Sequence, residues 1–135
     1  MNKFILLLLG IVLISSCNKE EPIGKWEDNI KLSTKNVELG VNLDSVIITT
    51  EGDWWWIDGI YLADSTYSYY NNENINLESD SYTITENNFV VERRDKHTLF
   101  IKLDKNVTGK ERVMKIGLQA GDYFDSVTIK QSEKQ

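Results

Sequence analysis

The sequence predicts an all-β domain, a sandwich of seven to nine short strands, on three observations. Where apolar residues are dense they alternate with polar ones at period two, as half-buried strands require. No window of a dozen residues carries a helical period. The only proline, Pro22, lies ahead of the patterned region, where it removes no donor from a sheet ladder.

Taken in order, candidate strands cover residues 30–34, 37–39, 45–50, 54–58, 81–85, 88–93, 98–103, 113–119 and 123–131. The run Val46-Ile47-Ile48-Thr49-Thr50 is β-branched throughout, which suits a pleated surface. In 98–103, Leu99, Ile101 and Leu103 share one face and Thr98 and Lys102 the other; Met114, Ile116 and Leu118 repeat the pattern, and Val127 and Ile129 close it. Gln119-Ala120-Gly121-Asp122 is a tight-turn signal, so the last two strands are expected to form a hairpin. Strand number, spacing and domain length together match an immunoglobulin-like sandwich.

Composition narrows the chemistry. With 41% hydrophobic and 27% charged residues the chain supports one ordinary core. A single cysteine excludes a disulfide framework and thiolate clusters, and a single histidine, His97, excludes histidine-rich zinc sites. The net charge of −6 repels a phosphate backbone, so no nucleic-acid partner is expected. His97 sits in the charged run Arg93-Arg94-Asp95-Lys96-His97 with no nucleophile elbow in the chain, and nothing singles out a carboxylate pair. The chain is therefore read as non-catalytic, without cofactor or metal. Glu51, Asp53, Asp58 and Asp64 cluster near the tryptophans but lack the ligand spacing of a calcium loop.

At the N-terminus, Lys3 precedes eleven residues from Phe4 to Ile14 that are apolar throughout. A bilayer-crossing helix needs about 20, so this run has the length of a cleaved signal peptide. It ends in Ile14-Ser15-Ser16-Cys17, which resembles the lipobox of bacterial lipoproteins. That resemblance implies a signal peptide over residues 1–16, lipidation of Cys17, a tether over 17–28 and the domain over 29–135. Two or more acyl chains, at ~0.8 kcal/mol per buried CH2, hold a protein firmly on a membrane. Asn18-Lys19-Glu20-Glu21-Pro22 is similar to the acidic export signal of outer-membrane surface lipoproteins in Bacteroidetes-type bacteria; as residues alone it reads equally as a solvated tether.

Asn106-Val107-Thr108-Gly109-Lys110-Glu111-Arg112, the alternating Ile116 and Leu118, and the closing Val127-Thr128-Ile129-Lys130-Gln131 resemble the C-terminal half of a BACON domain (Bacteroidetes-associated carbohydrate-binding, often N-terminal). Residues 42–50 and Gly52-Asp53-Trp54 resemble that family's upstream strand, turn and tryptophan. Residues 58–97 depart from it, being longer and more polar. The resemblance implies a seven- or eight-stranded sandwich in an envelope or secreted setting, with a role in binding glycans or mucin.

Seven of the fourteen aromatics fall between Trp54 and Tyr70. Aromatic faces stack on the CH faces of sugars, and tyrosine hydroxyls and asparagine amides hydrogen-bond sugar hydroxyls. In a strand Trp54 and Trp56 share a face and are expected in the core, which leaves Trp55 outside. The glycan-contact candidates are thus Trp55, Tyr61, Tyr67, Tyr69 and Tyr70, the tyrosines lying in or beside an Asn-rich stretch, residues 67–76, read as a loop. The same aromatics would equally serve a protein partner in the envelope, so a structural or interaction subunit is the alternative function. Asp44-Ser45-Val46 and Asp64-Ser65-Thr66 resemble the short sites at which these bacteria O-glycosylate exported proteins. Ser65, placed in a loop, is the accessible candidate.

Overall fold

Period-two alternation produces two sheets. The computed structural model describes residues 26–133; the signal peptide, Cys17 and the tether as far as residue 25 lie outside the described residues. A five-stranded sheet takes β1 (Asn36–Leu39), β3 (Trp56–Leu62), β4 (Ser65–Tyr67), β8 (Arg112–Ala120) and β9 (Tyr123–Gln131) in the order β1-β9-β8-β3-β4. A four-stranded sheet takes β2 (Asp44–Thr49), β5 (Tyr82–Glu86), β6 (Phe89–Arg94) and β7 (Thr98–Leu103) in the order β2-β7-β6-β5. Every pairing is antiparallel except β1 with β9.

The inward residues are those the alternation marks. Leu99, Ile101 and Leu103 from β7 and Met114, Ile116 and Leu118 from β8 are fully buried in one core. Each such side chain stabilises the fold by about 1.5–3 kcal/mol. The expected C-terminal hairpin is present: Ala120 pairs Tyr123 across Gly121-Asp122, and Gly121 takes φ 61, a value costly for any residue with a Cβ.

Three expectations need correction. Residues 30–34 make only an isolated bridge, Leu32 to Thr50, because Lys31 turns to φ 53 and breaks the extended run. Ser65 is not in a loop. It opens the edge strand β4, which pairs β3 across Ala63-Asp64; its side chain is still exposed. Three residues are too few to display a period.

The third correction concerns the tryptophans. Trp54 and Trp56 are not the core pair: Trp55 is, at 1% exposure, against 68% for Trp54, while Trp56 is half-buried. The phase of β3 is set by Ile57, which shares the parity of Trp55 and has no polar atom to satisfy. Inside, the Trp55 indole N–H donates to Thr50 Oγ1 and to the Lys96 carbonyl, both at 3.0 Å, and the Arg93 guanidinium lies 4.5 Å from the ring centre.

One end of the sandwich is closed by a buried polar clasp. Asn106, fully buried, donates through Nδ2 to the carbonyls of Lys110 (2.7 Å) and Ser132 (3.0 Å), and its Oδ1 accepts from the Thr108 N–H and hydroxyl. Beside it Arg112 donates to Gln131 Oε1 and the Asp104 carbonyl, and Gln131 Nε2 returns to that same carbonyl at 2.9 Å. Asn106→Ala is expected to cost about 3 kcal/mol, because it leaves several buried groups without partners at once. Urea unfolding of the two proteins measures it, and a loss under about 1 kcal/mol would mean the clasp is not the closure it looks to be.

Candidate functional site

The outer face of the five-stranded sheet carries the concentrated chemistry. Its geometry starts from a bulge in β3. Ile57 pairs Leu118 and Gly59 pairs Gly117, so Asp58 is an extra residue with no partner of its own. The insertion lets Ile57, Ile60 and Leu62 all point inward, at a spacing of three and then two, and turns Trp56, Asp58 and Tyr61 outward. On β8 the outward residues include Lys115, Gly117 and Gln119, and on β9 they include Phe124 and Ser126.

A hydrogen-bonded node holds the middle of this face. The Tyr70 hydroxyl donates to Asp58 Oδ1 and lies 2.8 Å from Gln119 Oε1. It also accepts the Trp56 indole N–H at 3.3 Å, and Gln119 Nε2 donates to the Gly121 carbonyl at 2.8 Å. Burial, reinforced by the bond to Asp58, holds the Tyr70 phenol above its ordinary pKa, so it remains a neutral donor. Trp54 meets Trp56 edge to face at 5.6 Å between ring centres and covers Gly121, where a Cβ would lie 3.3 Å from its ring.

Two shallow hollows flank the node. One, of about 360 Å³, is lined by Trp56, Tyr70, Ile75, Asn76, Leu77, Glu78 and Gln119. The other, of about 330 Å³, is lined by Asp58, Tyr61, Lys115, Gly117, Phe124, Asp125 and Ser126. Each hollow sets aromatic side chains beside polar ones in about equal measure, a lining that can meet both the apolar faces and the polar edges of a ligand. No group of three or more His, Cys, Asp or Glu side chains is placed to hold a metal among the described residues.

Of the expected glycan-contact residues, Tyr61 and Tyr70 are exposed on this face. Trp55 is in the core. Tyr69 is buried, its hydroxyl donating to Glu86 Oε1 at 2.9 Å, and burial drives its pKa far above the phenol range. Tyr67 is half-buried, edge-on to Phe89 at 5.1 Å. Trp54 and Trp56 take their place. Phe124 and Gln119 were not among the sequence candidates, and Asp58 was weighed only as one of four acidic residues near the tryptophans; the available signals were the phase of β9, which sends Phe124 outward, and the isolated Gly117 inside an alternating strand.

No family model matches the chain, and no curated protein matches it. Among solved structures it is similar to the NMR structure of a protein from Bacteroides thetaiotaomicron, at 16% identity and a TM-score of 0.62, covering 88% of this chain and 98% of that one. It also matches a GH5 xyloglucanase from Bacteroides ovatus, solved in complex with a XXXG heptasaccharide, at 17% identity and a TM-score of 0.47 over 78% of this chain. There it spans 19% of the longer chain. At 16% identity the likeness to the first is one of fold alone.

Trp55→Ala is expected to destabilise the domain by about 3–5 kcal/mol and Trp54→Ala by no more than about 0.5. Thermal unfolding of both variants checks this ordering, which is the reverse of what strand alternation alone suggested.

Proposed function

We propose that this is a non-catalytic, lipid-anchored protein of the bacterial cell envelope whose domain binds glycan on the outer face of its five-stranded sheet. The observation that carries the reading is the gathering of Trp54, Trp56, Tyr61, Tyr70 and Phe124 around the Asp58–Tyr70–Gln119 node. Holding large aromatics partly exposed forgoes a share of the about 1.5–3 kcal/mol that full burial of each would contribute, and contiguous exposed apolar patches mark binding sites. The polar atoms between the rings are donors and acceptors of the kind sugar hydroxyls engage.

In this reading Cys17 carries the lipid, the protein sits on the outer membrane facing outward, and the domain is a BACON-like member of the immunoglobulin-like sandwiches. The lipobox pattern supports the first point. The fully buried Asn106, with Arg112 and Gln131 buried beside it, gives a physical reason for the residues that carry the family resemblance. A polysaccharide, of dietary, host or mucin origin, is the partner; Ser65 on the β4 edge is the candidate for O-glycosylation. Docking to another envelope protein is the competing reading. It draws on Leu43 and Ile47, exposed at the edge strand β2.

Titration with soluble polysaccharides is expected to quench tryptophan fluorescence, and Trp56→Ala to remove the quench and weaken binding about tenfold or more. Unchanged fluorescence across a broad polysaccharide panel at micromolar protein would leave the protein-docking reading in its place. Separately, Cys17→Ser is expected to move the protein from the membrane fraction to the soluble fraction, and continued sedimentation of that variant with membranes would count against the anchor.

A further inference from the structure

Resting on the glycan reading above, we infer that the hollow between Tyr61 and Phe124 is a second sugar subsite, continuous with the one at Trp56 and Tyr70, and that together they take a neutral, extended, β-linked glycan chain lying along β3 and β8.

Glycine placement is the first argument. Gly117 lies inside β8, where glycine weakens a strand by about 0.5–1 kcal/mol relative to alanine. The fold does not need it. Gly117 has no positive φ, and a Cβ there would meet its neighbours at 3.6–3.7 Å, an ordinary contact. What a side chain would do is fill the floor of the hollow. Over its cross-strand partner Gly59 lies Tyr61, with the ring 3.8 Å and the hydroxyl 3.7 Å from where a Cβ would stand, so the tyrosine forms one wall of the hollow. Phe124, 58% exposed, forms the opposite wall.

The polar atoms define the ligand class. Asp125 is already engaged, with Lys35 at 2.7 Å and the Ser126 N–H at 2.8 Å. Asp58 gives one carboxylate oxygen to Tyr70, and its other, Oδ2, lies 3.6 Å from the Cβ position over Gly117. That oxygen, the Lys115 ammonium and the Ser126 hydroxyl line the hollow without partners among the described residues. An acceptor, a donor and a hydroxyl between two apolar walls match the edge and faces of a pyranose. Asp58 and Asp125 are balanced here by Lys115 and by Lys35, so the hollow carries no excess positive charge to hold an anionic sugar, and a chain charge of −6 disfavours sulfated, sialylated or uronic acid chains.

Register sets the length. Trp56 pairs Gln119 and Tyr61 pairs Lys115, four residues apart on β8, which is about 14 Å at ~3.4 Å per residue. That span exceeds one sugar ring and approaches three. Equatorial linkages keep successive rings in a flat ribbon able to reach aromatics at both ends, whereas a coiled α-linked chain turns away from a flat sheet.

Isothermal titration of the domain with β-1,4-linked gluco- and manno-oligosaccharides of one to six units tests this, with maltohexaose and polygalacturonate as contrasts. The expected result is an affinity that rises about tenfold or more between two and four units and then levels. Gly117→Val and Phe124→Ala are expected to flatten that rise; Phe124→Ala, on an exposed side chain, serves should the valine variant fail to fold. A length-independent affinity, or a rise untouched by Phe124→Ala, while polysaccharide still quenches tryptophan, overturns the second subsite and leaves the glycan reading standing. Tighter binding of maltohexaose or polygalacturonate overturns the assigned class. No binding to any of these sugars, and no quench by any polysaccharide, removes both the inference and the reading beneath it.

Discussion

One unpaired residue in β3 determines how this protein meets its surroundings. The insertion at Asp58 allows Ile57, Ile60 and Leu62 to enter the core from one strand although their spacing breaks strict alternation. It does so by placing Asp58 and Gly59 together on the outer face, opposite Gly117. The core and the candidate site are thus two sides of one backbone irregularity. A regular strand would send Ile60 into solvent or Tyr61 into the core, since a one-residue slip exchanges the faces of everything beyond it.

The interior behind that face holds polar groups as well as aliphatic ones. Two arginines are buried without a carboxylate partner in contact among the described residues. Arg93 donates to the carbonyls of Ser79 (2.9 Å) and Asp53 (2.7 Å) over the face of Trp55, and Arg112 donates to Gln131 and the Asp104 carbonyl. Burial lowers the pKa of both, but each guanidinium remains charged because arginine titrates so far above neutrality. Carbonyl dipoles stand in for counter-ions here, and each arginine ties together loops that no ladder connects. The Arg93 group gathers the segments before β3 and β5 and after β6; the Arg112 group gathers those before β8 and at the end of β9.

The long polar stretch between β4 and β5 shows how a poorly patterned segment is put to use. It supplies Tyr69 as a plug against Glu86 and, next to it, Tyr70 as the centre of the surface node. Adjacent tyrosines of one loop therefore serve opposite purposes. Asx turns at Asn72 and Asn76, whose side chains accept the N–H groups of Asn74 and Glu78, give the remainder of the segment local order.

The all-β architecture, eight of the nine strands and the closing hairpin were legible in the sequence because alternation is a local property of the chain. Leu99, Ile101 and Leu103 declare their face without knowledge of any neighbour. The three-residue β4 and the failed strand at residues 30–34 were not legible, the first because it is shorter than a readable period and the second because Lys31 leaves the extended region. The sequence likewise determined that aromatics would be concentrated between positions 54 and 70. Which of them would be buried, and which would meet Phe124 and Gln119 from the far end of the chain, only the tertiary structure decided. Strand phase depends on what the opposing sheet can accommodate, and a bulge is visible only against the partner strand whose register it shifts.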